Sequence, residues 1–171
     1  VANNATNGQE LYVSDGTTTS VVDIYSGVSG SGPTALVAHQ GALWFRANNG
    51  TNGNDLMSYD GSTLTARDIV AGASGPNWST STGVVSAGGL LWIQATFGSL
   101  GSELATTDGT VANSGTFEDL SPGANSTSMQ YIQGAGNVIL YNTYDSVMGS
   151  QPRFVVASSV NTVTFDVNGA T

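Results

Sequence analysis

The stretch Glu10-Leu11-Tyr12-Val13-Ser14-Asp15-Gly16-Thr17 decides the fold, because the chain repeats it. Asp55-Leu56-Met57-Ser58-Tyr59-Asp60-Gly61-Ser62 is a second copy, and Glu103-Leu104-Ala105-Thr106-Thr107-Asp108-Gly109-Thr110 is a third. Arg153-Phe154-Val155-Val156-Ala157-Ser158-Ser159 reads as a fourth, with its acidic residues lost. A motif that returns with a period in the forties marks a repeat architecture. A residue present in every copy is expected to build the repeat rather than form a unique site.

Working outward, other landmarks keep the same step. Gly8, Gly53, Gly101 and Gly149 precede the motif strand at intervals of 45, 48 and 48 residues. Gly41, Gly89 and Gly136 precede an apolar strand at intervals of 48 and 47. Asp23, Asp68, Asp119 and Asp166 close the strand after the motif, each followed by Ile, Leu or Val. Asp23, Asp68 and Asp166 lie eight residues after Asp15, Asp60 and Ser158, whereas Asp119 lies eleven after Asp108. The third hairpin therefore carries an insertion near Val111 to Ser114.

No window sustains a helical period. Short runs rich in β-branched and aromatic residues alternate instead with Gly, Asn, Asp and Ser turns. Each period holds a motif strand, a partner after the Asp-Gly turn, a strand after a Gly- and Ser-rich loop, and an apolar strand. Leu43-Trp44-Phe45 and Leu90-Leu91-Trp92-Ile93 are runs suited to burial on both faces. Four short strands in about 45 residues match a β-propeller blade. The expected fold is therefore all-β: a β-propeller-like array of about three and a half four-stranded blades, with a period of about 45–48 residues. It forms a single domain over 1–171, with units at approximately 8–47, 53–96, 101–143 and a partial 149–171. Three outcomes satisfy the half-blade count: a fragment of a longer propeller, pairing with a second copy, or closure across the termini. An open array would expose edge strands, an aggregation hazard.

Composition narrows the partners. The 171 residues include three Arg, no Lys and no Cys, and the formal net charge is −9. Phosphate contacts need Lys and Arg, so nucleic acid is disfavoured as a partner. Neither a disulfide nor a thiolate metal site can form. Charged residues are 9% of the chain, well below the roughly 25% of ordinary domains. No apolar run approaches the length of a membrane span, and the start carries no signal-peptide pattern.

The repeats resemble the bacterial E-L-W-x-x-D-G-T family. The resemblance rests on Glu10-Leu11-Tyr12 with Ser14-Asp15-Gly16-Thr17, on Val22-Asp23-Ile24 with Gly27, on Gly32-Pro33, and on Gly41-Ala42-Leu43-Trp44-Phe45 with Ala47. Ser121-Pro122-Gly123 supplies a further element in the third copy. The resemblance implies propeller blades and a place in a large secreted or surface-anchored bacterial protein. It does not imply an activity.

Candidate chemistry is sparse. Asp15, Asp60 and Asp108 sit in Asp-Gly turns, where a carboxylate accepts turn N–H groups; a repeated calcium site is the alternative reading. His39 is the only histidine, and no nucleophile–base arrangement accompanies it. Glu10 and Glu103 would make a glycosidase pair only by ignoring their shared repeat position. Trp44 and Trp92 read as core. Trp78, beside Asn77 in a loop without an aromatic counterpart, reads either as an exposed sugar- or partner-contacting ring or as packing beneath its own loop. The function expected is a non-catalytic extracellular structural or protein–protein interaction module, on the cell surface, secreted or periplasmic. Its partners would be other subunits or a second copy of itself, and it would need no cofactor. The alternative is a carbohydrate-binding propeller, with glycan at the Trp78 loop and calcium in the Asp-Gly turns.

Overall fold

A computed structural model describes residues 1–71, 75–79, 83–144 and 147–157, together with the backbone of 145 and 163–165. The chain is all-β, and four antiparallel sheets follow one another in sequence order. Sheet I holds β1 (Ala2–Asn4), β2 (Gly8–Ser14) and β3 (Thr19–Val22). Sheet II holds β4 (Thr34–His39), β5 (Ala42–Asn48), β6 (Asn54–Tyr59) and β7 (Leu64–Ala66). Sheet III holds β8 (Val84–Ala87), β9 (Leu90–Thr96), β10 (Ser102–Thr107) and β11 (Gly115–Glu118). Sheet IV holds β12 (Ile132–Ala135), β13 (Val138–Asp145), β14 (Gly149–Ala157) and β15 (Val163–Phe165).

Within each sheet every strand pairs with its neighbour in sequence. The motif strand thus shares a sheet with the apolar strand that precedes it: β6 pairs with β5 and β10 with β9. A turn of 3-10 helix at Val111–Asn113 takes up the insertion in the third hairpin. Strand β1 has no motif of its own in the sequence. It forms because its residues pair with β2, Ala2 opposite Glu10 and Asn4 opposite Gly8. Asp166 lies outside the described residues.

The ladder corrects the fourth copy. Asp55 faces Ala47 across its sheet, and Glu103 faces Ala95. The equivalent pair in sheet IV is Gln151 with Thr143. Gln151 therefore holds the acidic position, two residues before Arg153, and it keeps the two-residue step from Gly149 that Glu103 keeps from Gly101. The run Arg153-Phe154-Val155 imitated the motif in composition, but a shift of two residues leaves side chains on the same face. Hydrophobic pattern alone did not separate the two registers.

The chain divides into two compact units, residues 1–76 with 109–111, and residues 77–108 with 112–171. In the first unit, Leu11 and Ile24 pack on Phe45, Ala47 and Met57, so one face of sheet I covers one face of sheet II. In the second, Val85, Trp92 and Leu104 of sheet III pack on Ile132, Ile139, Tyr141 and Val155 of sheet IV. Close backbone approach requires glycine at one crossing. A Cβ on Gly8, at φ +66, would stand 2.6 Å from the Gly30 nitrogen. The apolar strands are pinned in the same way in both units: the Trp44 indole N–H donates to the His39 carbonyl at 2.9 Å, and that of Trp92 to the Ala87 carbonyl at 3.1 Å.

Candidate functional site

The recurring carboxylate is buried and multiply hydrogen-bonded in two of the repeats. Glu10 is fully buried. Its Oε2 accepts the Ile24 N–H at 3.1 Å and the Ser31 hydroxyl at 2.5 Å. Its Oε1 accepts the N–H groups of Tyr25 at 3.2 Å and Ser31 at 2.9 Å. Glu103, also fully buried, repeats the arrangement. Its Oε2 accepts the Leu120 N–H at 3.0 Å and the Thr127 hydroxyl, and its Oε1 accepts the Thr127 N–H at 2.9 Å. Each carboxylate joins its own strand to the turn after the hairpin and to the loop beyond. Ile24 and Leu120 follow the recurring Asp23 and Asp119, so that landmark marks the turn the carboxylate grips. A buried carboxylate is tolerated when its lone pairs are met by such donors.

The second copy departs from this scheme. Asp55 is also fully buried but is one methylene shorter. Its Oδ1 accepts the Leu56 N–H at 2.6 Å, and the Ile69 N–H and the Asp68 carboxyl lie beside it, but among the described residues its Oδ2 and the Oδ1 of Asp68 have no well-formed hydrogen bond. Gly75 lies against the Asn54 carbonyl as Gly30 lies against Gln9, so Pro76 takes the place of Ser31. Proline has neither an N–H nor a hydroxyl to give. Burial, aided by the charge of Asp68, raises the Asp55 pKa to about 6.

In the fourth sheet Gln151 donates instead to the Met148 carbonyl at 2.7 Å. Arg153 donates from Nε to the Thr143 hydroxyl at 3.0 Å.

The Asp-Gly turns are held by their own carboxylates. Asp15 Oδ1 accepts the N–H groups of Thr17 at 2.8 Å and Thr18 at 2.7 Å. Asp60 Oδ1 accepts those of Ser62 at 2.9 Å and Thr63 at 2.7 Å. The N–H of Thr18 chiefly holds Asp15 below the ordinary carboxylate range, and that of Thr63 does so for Asp60. Asp108 Oδ2 accepts from the Asn113 amide at 2.7 Å across the inserted turn. Among the described residues, no three His, Asp or Glu side chains gather as metal ligands. A group with a depressed folded pKa adds stability above its unfolded value and loses it as pH falls through the folded one. The Thr18 and Thr63 amides should therefore lose hydrogen-exchange protection below about pH 4. An Asp60→Ala variant should show that loss at Thr63 already at neutral pH, with the protection of β5 unchanged.

Trp78 does not present the exposed ring that stacking on a sugar would need. It is buried, 4% exposed, and offers no ring face to solvent. Its neighbour Asn77 is exposed, at φ +44. Of the two readings of this ring, exposed or packed, its burial selects the packed one. The Ser79 N–H anchors this segment to the Gln94 carbonyl at 2.8 Å. Trp44 and Trp92 are buried as well. Native fluorescence should therefore be blue-shifted and almost unquenched by acrylamide. His39 is 4% exposed, edge-on to Trp44 with ring centroids 5.4 Å apart, and burial lowers its pKa. Compared with family models, curated proteins and solved structures, the chain matches none.

Proposed function

We propose that the chain is a β-propeller-like repeat array serving as a non-catalytic structural or protein–protein interaction module of a bacterial surface or secreted assembly, extracellular or periplasmic. The observation that carries this reading is the commitment of Glu10 and Glu103 to the same buried clamp. The carboxylates most prominent in the sequence have their oxygens filled by backbone N–H and hydroxyl groups, leaving them nothing to offer a substrate. The sequential antiparallel sheets and the motif resemblance support the blade reading. Among the described residues, no helix is long and apolar enough to cross a membrane.

Fractionation of producing cells followed by chemical cross-linking tests the proposal. The protein should appear in the surface, secreted or periplasmic fraction and cross-link to fixed protein neighbours. Recovery from the cytosol, or turnover of a small substrate by the purified chain, would contradict it. The module is proposed to fold without a cofactor, so its melting temperature should be the same in calcium and in chelator.

A further inference from the structure

We infer that the outer face of sheet IV docks head-to-tail on the outer face of sheet I in a second copy of this chain. The inference rests on the reading of the chain as an interaction module and names the partner. Leu140 holds the position of Trp44 and Trp92, counted from the hairpin turns that open β13, β5 and β9. Those tryptophans are 4% and 0% exposed, whereas Leu140 is 41% exposed. Pro152, exposed, holds the position of the fully buried Leu56 and Leu104. Tyr144 and Val138 extend the same face, at 63% and 37% exposure.

Sheet I shows the converse. Ala2, exposed, holds the position of Ala47 and Ala95, both at 0%. Tyr12 is partly exposed where Met57 and Ala105 are fully buried. Val21 lies opposite Tyr12 on this face and is 37% exposed.

The occupant follows from packing that the chain already shows twice. In each unit the Leu11- or Leu104-bearing face of one sheet is covered by the Phe45- or Tyr141-bearing face of the next. The open face of sheet IV is of the first kind, and that of sheet I is of the second. Continuing the sheet-on-sheet step once more therefore joins unlike faces of two copies, a heterologous interface. Among the described residues the two faces bring little exposed charge. Leu140, Pro152, Tyr144 and Val138 are uncharged; on sheet I the Glu10 carboxylate is buried and clamped, and Asp23, just beyond β3, is exposed. No described strand residue on the outer face of sheet IV is charged, so in a chain of net charge −9 Asp23 meets no like charge among them.

Sedimentation of the wild-type chain and of Leu140→Glu and Val21→Glu variants tests this. Both substitutions fall at exposed sites, and unchanged near-ultraviolet circular dichroism would show that the fold is kept. Wild type should sediment as two chains or more, and each variant alone as the 17.3 kDa monomer. An equimolar mixture of the two variants should form a heterodimer, because one intact face of each kind remains. A monomeric wild type at every concentration would overturn the inference, as would a Val21→Glu chain that still self-associates or a mixture that stays monomeric. A monomer that still cross-links to other proteins in cells would overturn this inference alone and leave the module reading standing.

Discussion

Replacing Glu103 with alanine should remove about 3–5 kcal/mol of stability, lowering the melting temperature by about 10 °C. The carboxylate is fully buried and accepts from Leu120 N, Thr127 N and the Thr127 hydroxyl. Truncation leaves these donors facing a cavity that offers no acceptor. A buried unsatisfied donor costs about 1–3 kcal/mol, and each was bonded to an ionic partner. Thr127 N keeps one alternative, the Ser102 carbonyl at 3.0 Å, which holds the loss below the sum of its parts. Glu10→Ala should cost a similar amount, since Ser31 N likewise retains the Gln9 carbonyl at 3.0 Å. The two sites share no partner, so their losses should add in the double variant. Denaturant titration of the three proteins reads this directly. Native stability in either single variant would show that the clamp is ornamental.

Asp55 should behave in the opposite sense, with stability that falls as pH rises. Its folded pKa is raised to about 6 from an ordinary 3.8. The native state therefore holds a proton that the unfolded chain releases. That contribution is fully present below about pH 4 and is lost as pH climbs through 6. The span corresponds to about 3 kcal/mol lost between pH 4 and pH 7. Asp55→Asn removes the titration, so it should flatten this limb and stabilise the protein above pH 7. A second variant tests the cause. Asp55→Glu combined with Pro76→Ser restores both the reach of the carboxylate and the donors that Ser31 supplies in the first copy. It should likewise be insensitive to pH between 4 and 7. A wild-type stability that rises steadily over this range would contradict the account of Asp55.

Much of this was legible in the sequence because the fold repeats. Asn54–Tyr59, Leu90–Thr96 and Ser102–Thr107 are strands whose ends fall at the Gly and Asp punctuation that announces them. The insertion beside Val111 followed from a count of eleven against eight. Other features depend on what a segment meets in space. Strand β1 carries no apolar alternation and exists through its pairing with Gly8 to Glu10. Gln151 and Arg153 share a face, so composition could not choose between them. Trp78 lies in a loop of small polar residues, and only the path of the backbone decides which way its ring goes. The clamp was half visible. Recurrence gave Glu10 and Glu103 a structural role, but their partners lie up to 24 residues away in sequence, in loops without a shared motif.

Native-state hydrogen exchange at the amides of Ile24 and Leu120 tests the central claim most directly. Both residues lie just beyond the ends of β3 and β11, and each donates to the recurring carboxylate. If the motif exists to clamp the repeat, these two amides should exchange only as slowly as the core of β5 and β9, and in Glu10→Ala and Glu103→Ala each should become fast at its own site while the other stays slow. Rapid exchange at both positions in the wild-type protein would mean that the carboxylate holds nothing there, and the reading of the motif as structural would fail.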